Sequence, residues 1–182
     1  MVGKGEPMFF DLIQKRRSIR KFKPVPVERE KINRLIETAL RSPSSRGFNP
    51  WRFVVVDQPS TLAGLSLAKP HSAAFLKDAP LAIVVVGDPQ TSDVWIEDCS
   101  IASAMIHLGA QALGLGSCWI QIRRRDHDKT KSSDQYVKEL LSIPDNLAVE
   151  SILAIGYGDE VKDPHSAETL EMEKVHLNRY GE

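Results

Sequence analysis

Leu81-Ala82-Ile83-Val84-Val85-Val86 is apolar at every position. A strand with one face in water alternates apolar and polar side chains. An unbroken run therefore predicts a strand covered on both faces, in a sheet with layers above and below it. Downstream, Asp93 to Leu115 predicts a long helix whose apolar or small residues, among them Ile101, Ala102, Met105, Ile106, Leu108, Ala112 and Leu113, surround most of its circumference. Such a helix belongs inside the domain or against a second copy of the chain. Gly114 and Gly116 end it, and Ser117 to Ile122 reads as a strand. A polar loop from Arg123 to Ser133 and a short helix from Gln135 to Ser142 lead to a last strand, Val149 to Gly156.

Upstream, Arg52-Phe53-Val54-Val55-Val56 is a β-branched run closed by Asp57 and Pro59, followed by a short helix over Thr61 to Ala68 and a mixed loop from Lys69 to Ala79. Ile32, Leu35, Ile36, Ala39 and Leu40 recur at helical spacing after the break at Lys23-Pro24-Val25-Pro26. A first helix, opened by Pro7 and carrying Met8 to Ile13, ends near the basic run Arg16-Arg17-Ser18-Ile19-Arg20. Helices and strands share one chain of 182 residues, a length that suits a single domain able to bury roughly 70% of its unfolded surface.

The composition is 42% hydrophobic and 26% charged, which fits a packed core and excludes a disordered or fibrous chain. Equal numbers of basic and acidic residues, 24 of each, remove any global electrostatic case for nucleic acid or an anionic membrane. Locally the balance differs. From Lys15 to Arg52 there are twelve Lys and Arg against Glu28, Glu30 and Glu37, an asymmetry that asks for an anion. Cys99 and Cys118 lack the short spacings of a zinc site or a disulfide framework and read as buried thiols. No run reaches the length of a membrane span and the start lacks a signal-peptide core, so the cytoplasm is the expected address.

Three segments carry potential chemistry. In Arg16-Arg17-Ser18-Ile19-Arg20, guanidinium forks match phosphate oxygens and a serine adds a neutral donor. If extended, the run turns Ser18 and Arg20 to one side and Arg17 and Ile19 to the other. Taken alone it equally describes a solvated helix end. The second segment, Ser42-Pro43-Ser44-Ser45-Arg46-Gly47-Phe48-Asn49-Pro50-Trp51, is a turn anchored on a strand. The third, Gly114-Leu115-Gly116-Ser117-Cys118-Trp119-Ile120-Gln121-Ile122, could offer backbone N–H groups and a flat indole to a planar ligand.

Together, a basic run leaving the first helix, a Pro-Ser-Ser turn ending in Pro-Trp-x-Phe, an Ala-Pro before an apolar strand and Gly-Leu-Gly-Ser-Cys-Trp after a long helix resemble the nitroreductase-like FMN-dependent oxidoreductases. The resemblance spans Phe9 to about Tyr157. It implies an α+β fold: a mixed α/β/α sandwich whose central sheet has helices on both faces, in an interlocked homodimer. Residues 158–182 would be an arm packed on the partner, and the FMN sites would be shared between protomers.

Carried over by residue, the resemblance implies Arg16, Arg17 and Ser18 at the phosphate and ribityl end and Arg20 at the pyrimidine edge. Pro43, Ser44 and Ser45 would close over the flavin from the opposite protomer. Gly47 and Asn49 stand where relatives have asparagine and glutamine. Trp119, Ile120 and Gln121 would run beside the ring, with the N–H near Gln121 facing N5. Lys174 is the choice for a C-terminal phosphate contact, with Lys162 and Arg179 as competitors. The five histidines read as structural or surface residues, with His71 the one candidate for a substrate contact.

The resemblance also implies NAD(P)H as donor, a small electron-deficient acceptor such as a nitroaromatic or quinone, and a ping-pong course with flavin-centred chemistry and no protein acid or base. The chain contains no Gly-x-Gly-x-x-Gly dinucleotide fingerprint of its own. Other readings are a specialised relative performing dehalogenation, flavin fragmentation or dehydrogenation, a flavin-binding redox sensor, and an α/β domain holding a different phosphate ligand.

Overall fold

The computed structural model describes residues 8–181, so the expected opening of the first helix by Pro7 lies outside the described residues. Five helices are described: α1 (Met8–Lys15), α2 (Arg29–Leu40), α3 (Pro59–Ser66), α4 (Trp95–Ala112) and α5 (Ser133–Leu141). Four strands accompany them: β1 (Trp51–Val56), β2 (Leu81–Gly87), β3 (Gly116–Gln121) and β4 (Ala148–Gly156). Their ends follow local chemistry. Pro59 opens α3 at its first turn, where a missing N–H costs nothing. The Ser132 hydroxyl caps α5 by accepting the Gln135 N–H at 3.1 Å. Gly114, at φ 71°, lets the chain reverse after α4.

The strands form one sheet in the order β1-β2-β4-β3, antiparallel throughout. Among the described residues the parallel component is one isolated bridge, Ser18 to Ser117, and the sheet with helices on both faces is the α+β sandwich expected. β2 lies between two neighbours and is buried along its whole length. Leu81, Ile83 and Val85 pack with α2 and α4, whereas Ala82, Val84 and Val86 pack with α3 and α5. The absence of alternation in this stretch follows from those two layers, each fully buried aliphatic side chain contributing about 1.5–3 kcal/mol.

Of the two alternatives that its sequence left open, helix α4 takes the first on one face only. Cys99, Ala102, Ser103, Ile106 and Ala110 are buried against the sheet, while Ile101 and Met105 stand exposed on the other side. Phe9, Phe10 and Ile13 of α1, with Leu40 and Phe48, add further exposed apolar side chains. From residue 163 onward the arm runs over the surface, with short 3-10 turns at Ala167–Thr169 and Met172–Lys174. Leu170, Met172, Val175, Leu177 and Tyr180 are exposed on it. Among the described residues no helix is long and apolar enough to cross a membrane.

Candidate functional site

The basic run leaves α1 after the Arg16 N–H bonds Leu12 O at 2.9 Å, and then becomes extended. It is fastened on two sides. The Ile19 N–H donates to Ser117 O of β3 at 2.9 Å. On the other side Lys23 N–H donates to Tyr157 O and Asp159 N–H to Lys21 O, both at 2.8 Å. Gly116 and Gly156 permit this close approach. A Cβ on Gly116 would lie 2.9 Å from Ile19 Cβ, and one on Gly156 would lie 3.1 Å from the Phe22 ring and 2.5 Å from the Pro80 ring. Gly116, expected as part of a helix stop, is in fact the first residue of β3 and a seat for Ile19.

Each cation of the run has a distinct setting. The Arg16 guanidinium lies 2.9 Å from His107 Nε2 of α4. Arg17 donates to Asp163 O at the root of the arm. Arg20 is exposed, its N–H donating to Glu160 Oε1 at 2.5 Å. That carboxylate also takes the Lys21 N–H at 3.2 Å and pairs with Lys162 at 3.3 Å. The Arg20 N–H first, and then Lys162, hold the Glu160 carboxyl below the usual range. Among the described residues no carboxylate lies within ion-pair distance of Arg16, Arg17 or Arg20.

His107 was expected to be an ordinary structural residue, and it belongs to this site. A guanidinium can only donate, so Nε2 is the acceptor and Nδ1 carries the proton toward Ser117 Oγ. Burial, and then the Arg16 charge, push the imidazole down to about 4, which keeps it neutral. No local pattern in the sequence marks it, because its partners are Arg16 and Ser117.

β3 is an edge strand. Since Ser117 O accepts from Ile19 rather than from β4, alternation along an antiparallel strand turns the backbone groups of Ser117, Trp119 and Gln121 toward the open edge. The Ile120 backbone points the other way, to β4, and its side chain packs in the layer of α3 and α5. The Trp119 indole N–H donates to Gln121 Oε1 at 2.9 Å, and the Gln121 amide donates to Arg123 O at 3.1 Å. The edge beyond Ser117 is thus a row of backbone groups beside a held indole and a held amide.

The Pro43-Ser44-Ser45 turn is a separate unit. The Asn49 N–H donates to Ser44 Oγ at 2.9 Å, and Ser44 Oγ in turn bonds Asn49 Oδ1 at 2.7 Å. Arg46, Gly47 and Asn49 all have left-handed backbone, at φ 51°, 69° and 50°. The Ser45 N–H donates to buried Asp98 of α4 at 2.8 Å. His107 stands nine residues further along that helix, a rise of about 13 Å. One chain therefore does not bring the turn to the basic run.

Lys174 is not brought there either. It is 67% exposed and pairs with Glu171 at 2.5 Å on an outlying turn. Lys162, the competitor, donates to Ser18 O at 2.6 Å and is the C-terminal cation beside the run. Both thiols are buried: desolvation pushes Cys99 up to about 12 and raises Cys118 as well, the latter against the opposing pull of Arg20 and Lys162. Neither is a thiolate nucleophile. An open cleft of about 680 Å³ between Pro24, Val27, Pro59 and Pro80 contains none of these donors.

Glu150 is a second residue whose part was not foreseen, although a carboxylate inside Val149-Glu150-Ser151-Ile152 is a visible anomaly. β4 shifts register opposite Val85 and Val86 at this point. Glu150 O takes the N–H groups of Ile122 and Arg123, at 3.2 and 3.1 Å, and so fixes the corner after β3. Its carboxyl is buried, with Oε1 near Gln121 Nε2 and Ser100 Oγ and Oε2 without a partner. Burial raises its pKa; Gln121, Arg123 and Ser100 oppose that and Glu97 adds to it. A folded-state pKa raised above the unfolded value means that the native state holds the extra proton. Stability is then lost as pH rises above the unfolded value of 4.5 toward the folded one. Glu150→Gln should flatten that decline in a series of melting temperatures between pH 4 and 8. An unchanged slope would place the carboxyl in water.

Against this geometry, the sequence profile of the nitroreductase family matches residues 13–71 and 64–157. The chain belongs to the nitroreductase family. It is similar to the structure of a nitroreductase from Clostridium difficile R20291, described as FMN-dependent, with 46% identity, 94% of this chain and 99% of that one covered, and a TM-score of 0.93. A protein of Archaeoglobus fulgidus assigned by name as an NADH dehydrogenase/NAD(P)H nitroreductase is 33% identical over 93% of this chain and 97% of its own. The iodotyrosine deiodinase of Thermotoga neapolitana is 24% identical over 85% of this chain and 91% of its own.

Proposed function

We propose that this chain is an FMN-dependent NAD(P)H oxidoreductase, a homodimer that reduces a nitroaromatic, quinone or other electron-deficient acceptor in ping-pong order. One observation carries the reading: cations that have no carboxylate partner among the described residues are fastened beside the open edge of β3. The donor set fits the cofactor, with guanidinium groups and a hydroxyl for a phosphate and a row of backbone groups for a flat ring. When bound, FMN supplies the hydride chemistry.

The protein's part is to bind and orient. Arg16, Arg17 and Ser18 hold the phosphate and ribityl end, and Lys162 is the C-terminal cation from the same chain. Arg20 places a positive charge at the pyrimidine edge, which raises the reduction potential. The Gln121 N–H is the donor toward N5, and the Glu150 carbonyl steadies the corner behind it. Trp119 and Ile120 brace the strand from its two faces.

Pro43, Ser44, Ser45, Gly47 and Asn49 come from the partner. A two-fold axis crossing α4 near its middle sets the Asp98 level of one chain beside the His107 level of the other, and the exposed Ile101 and Met105 flank that midpoint. The arm extends from its Arg17 and Lys162 anchors onto the partner.

Purified protein should oxidise NADH or NADPH when given a nitroaromatic, a quinone or free flavin as acceptor. The deiodinase relative makes a halogenated phenol a useful further arm. No oxidation of either nicotinamide with any acceptor would refute the activity.

A further inference from the structure

We infer that His107 is a positioning residue for the anion grip: as a neutral imidazole it accepts a hydrogen bond from Arg16 and fixes which way that guanidinium presents its remaining N–H groups. The inference rests on the reading of Arg16 as a phosphate contact.

The junction is built from three elements. Arg16 is the first residue beyond α1, His107 projects from α4, and Ser117 belongs to β3. Arg16 Nη1 lies 2.9 Å from His107 Nε2, and Nδ1 is bonded to Ser117 Oγ. The same Ser117 supplies the carbonyl that holds Ile19. One residue of β3 thus orients both the imidazole and the backbone of the run. Arg16 stands where the chain leaves its helix, and among the described residues its side chain has no carboxylate to steer it.

An arginine on a flexible stem loses conformational freedom whenever it grips an anion. Tethering one N–H beforehand meets part of that cost and leaves four donors free. A carboxylate in place of the imidazole would tether Arg16 equally well, but it would cancel the charge that an anion needs. A neutral acceptor orients the guanidinium and leaves its charge intact. The charged group facing the ring is Arg16 itself, and it acts with burial to keep the imidazole unprotonated.

The test compares two ligands that differ only in the phosphate. Full-length protein stripped of flavin is titrated with FMN and with riboflavin, following flavin fluorescence, for wild type, Arg16→Ala, His107→Leu, His107→Gln and the Arg16→Ala/His107→Leu pair. His107→Leu should weaken FMN about tenfold, the worth of one hydrogen bond to a charged group, and leave riboflavin unchanged. His107→Gln, whose amide oxygen can accept from Arg16, should recover most of the loss. In the Arg16→Ala background His107→Leu should add nothing.

Equal weakening of FMN and riboflavin would mean a merely structural histidine and would overturn the inference. So would full additivity with Arg16→Ala, or no effect of His107→Leu where Arg16→Ala itself weakens FMN. If Arg16→Ala leaves FMN binding intact, the phosphate grip itself is refuted and this role falls with it.

Discussion

Gly116→Ala should cost about 1–3 kcal/mol of stability, as overpacking of a rigid contact does, and weaken FMN binding by more than about tenfold. The added Cβ would lie 2.9 Å from both Cβ and Cγ2 of Ile19 and 3.0 Å from Cγ1. Those atoms form the root of a β-branched side chain, which cannot swing aside without moving its backbone. That backbone is the run: Ile19 N–H is bonded to Ser117 O, with Ser18 and Arg20 on either side. The strain falls on the segment proposed to hold the cofactor. Gly114→Ala is the control, since its φ of +71° imposes backbone strain but no atom lies within 4 Å of the new methyl. It should cost about 1 kcal/mol with flavin binding unchanged. Thermal melts and FMN titrations of both variants decide the matter. A Gly116→Ala protein that binds FMN as tightly as wild type would mean that the run is not part of the site.

Met105→Asp should convert the protein to a monomer at micromolar concentration and strip its flavin with the same change. Met105 and Ile101 are exposed on the outer side of α4, and a carboxylate forced into an apolar interface without a partner costs several kcal/mol. The two losses are coupled under the proposed shared site, in which the Ser44 turn and the Arg16–His107 junction, about 13 Å apart along one α4, are completed by the partner. Light scattering with flavin absorbance on the same sample reads both. A dimer that survives would move the interface away from α4. A monomer that retains FMN would refute the shared site.

What was legible in the sequence was whatever depends on near neighbours. The unbroken apolar run of β2 announced a strand between two layers, and the turn residues from Ser42 to Pro50 announced a loop before β1. The basic run stood out because its charges are consecutive, although the role proposed for it rests on the other two motifs beside it. What escaped depends on which distant residues meet. His107 and Arg16 are 91 positions apart, and nothing near either of them foretells the contact. Gly116 reads as a helix stop until Ile19 is seen pressed against it. Lys162 and Lys174 are alike as isolated lysines in a polar tail. Only the path after Tyr157, zipped to Lys21 and Lys23, carries the first of them to Ser18. Strand order is equally non-local, since each pairing of the antiparallel sheet joins segments separated by loops or whole helices.

The most direct test of the shared flavin cradle is the flavin content and mass of the protein purified without added cofactor. The expected result is a yellow dimer whose absorbance gives two flavins per particle and which releases FMN, rather than riboflavin, on denaturation. A colourless protein that leaves the fluorescence of added FMN unchanged would contradict it.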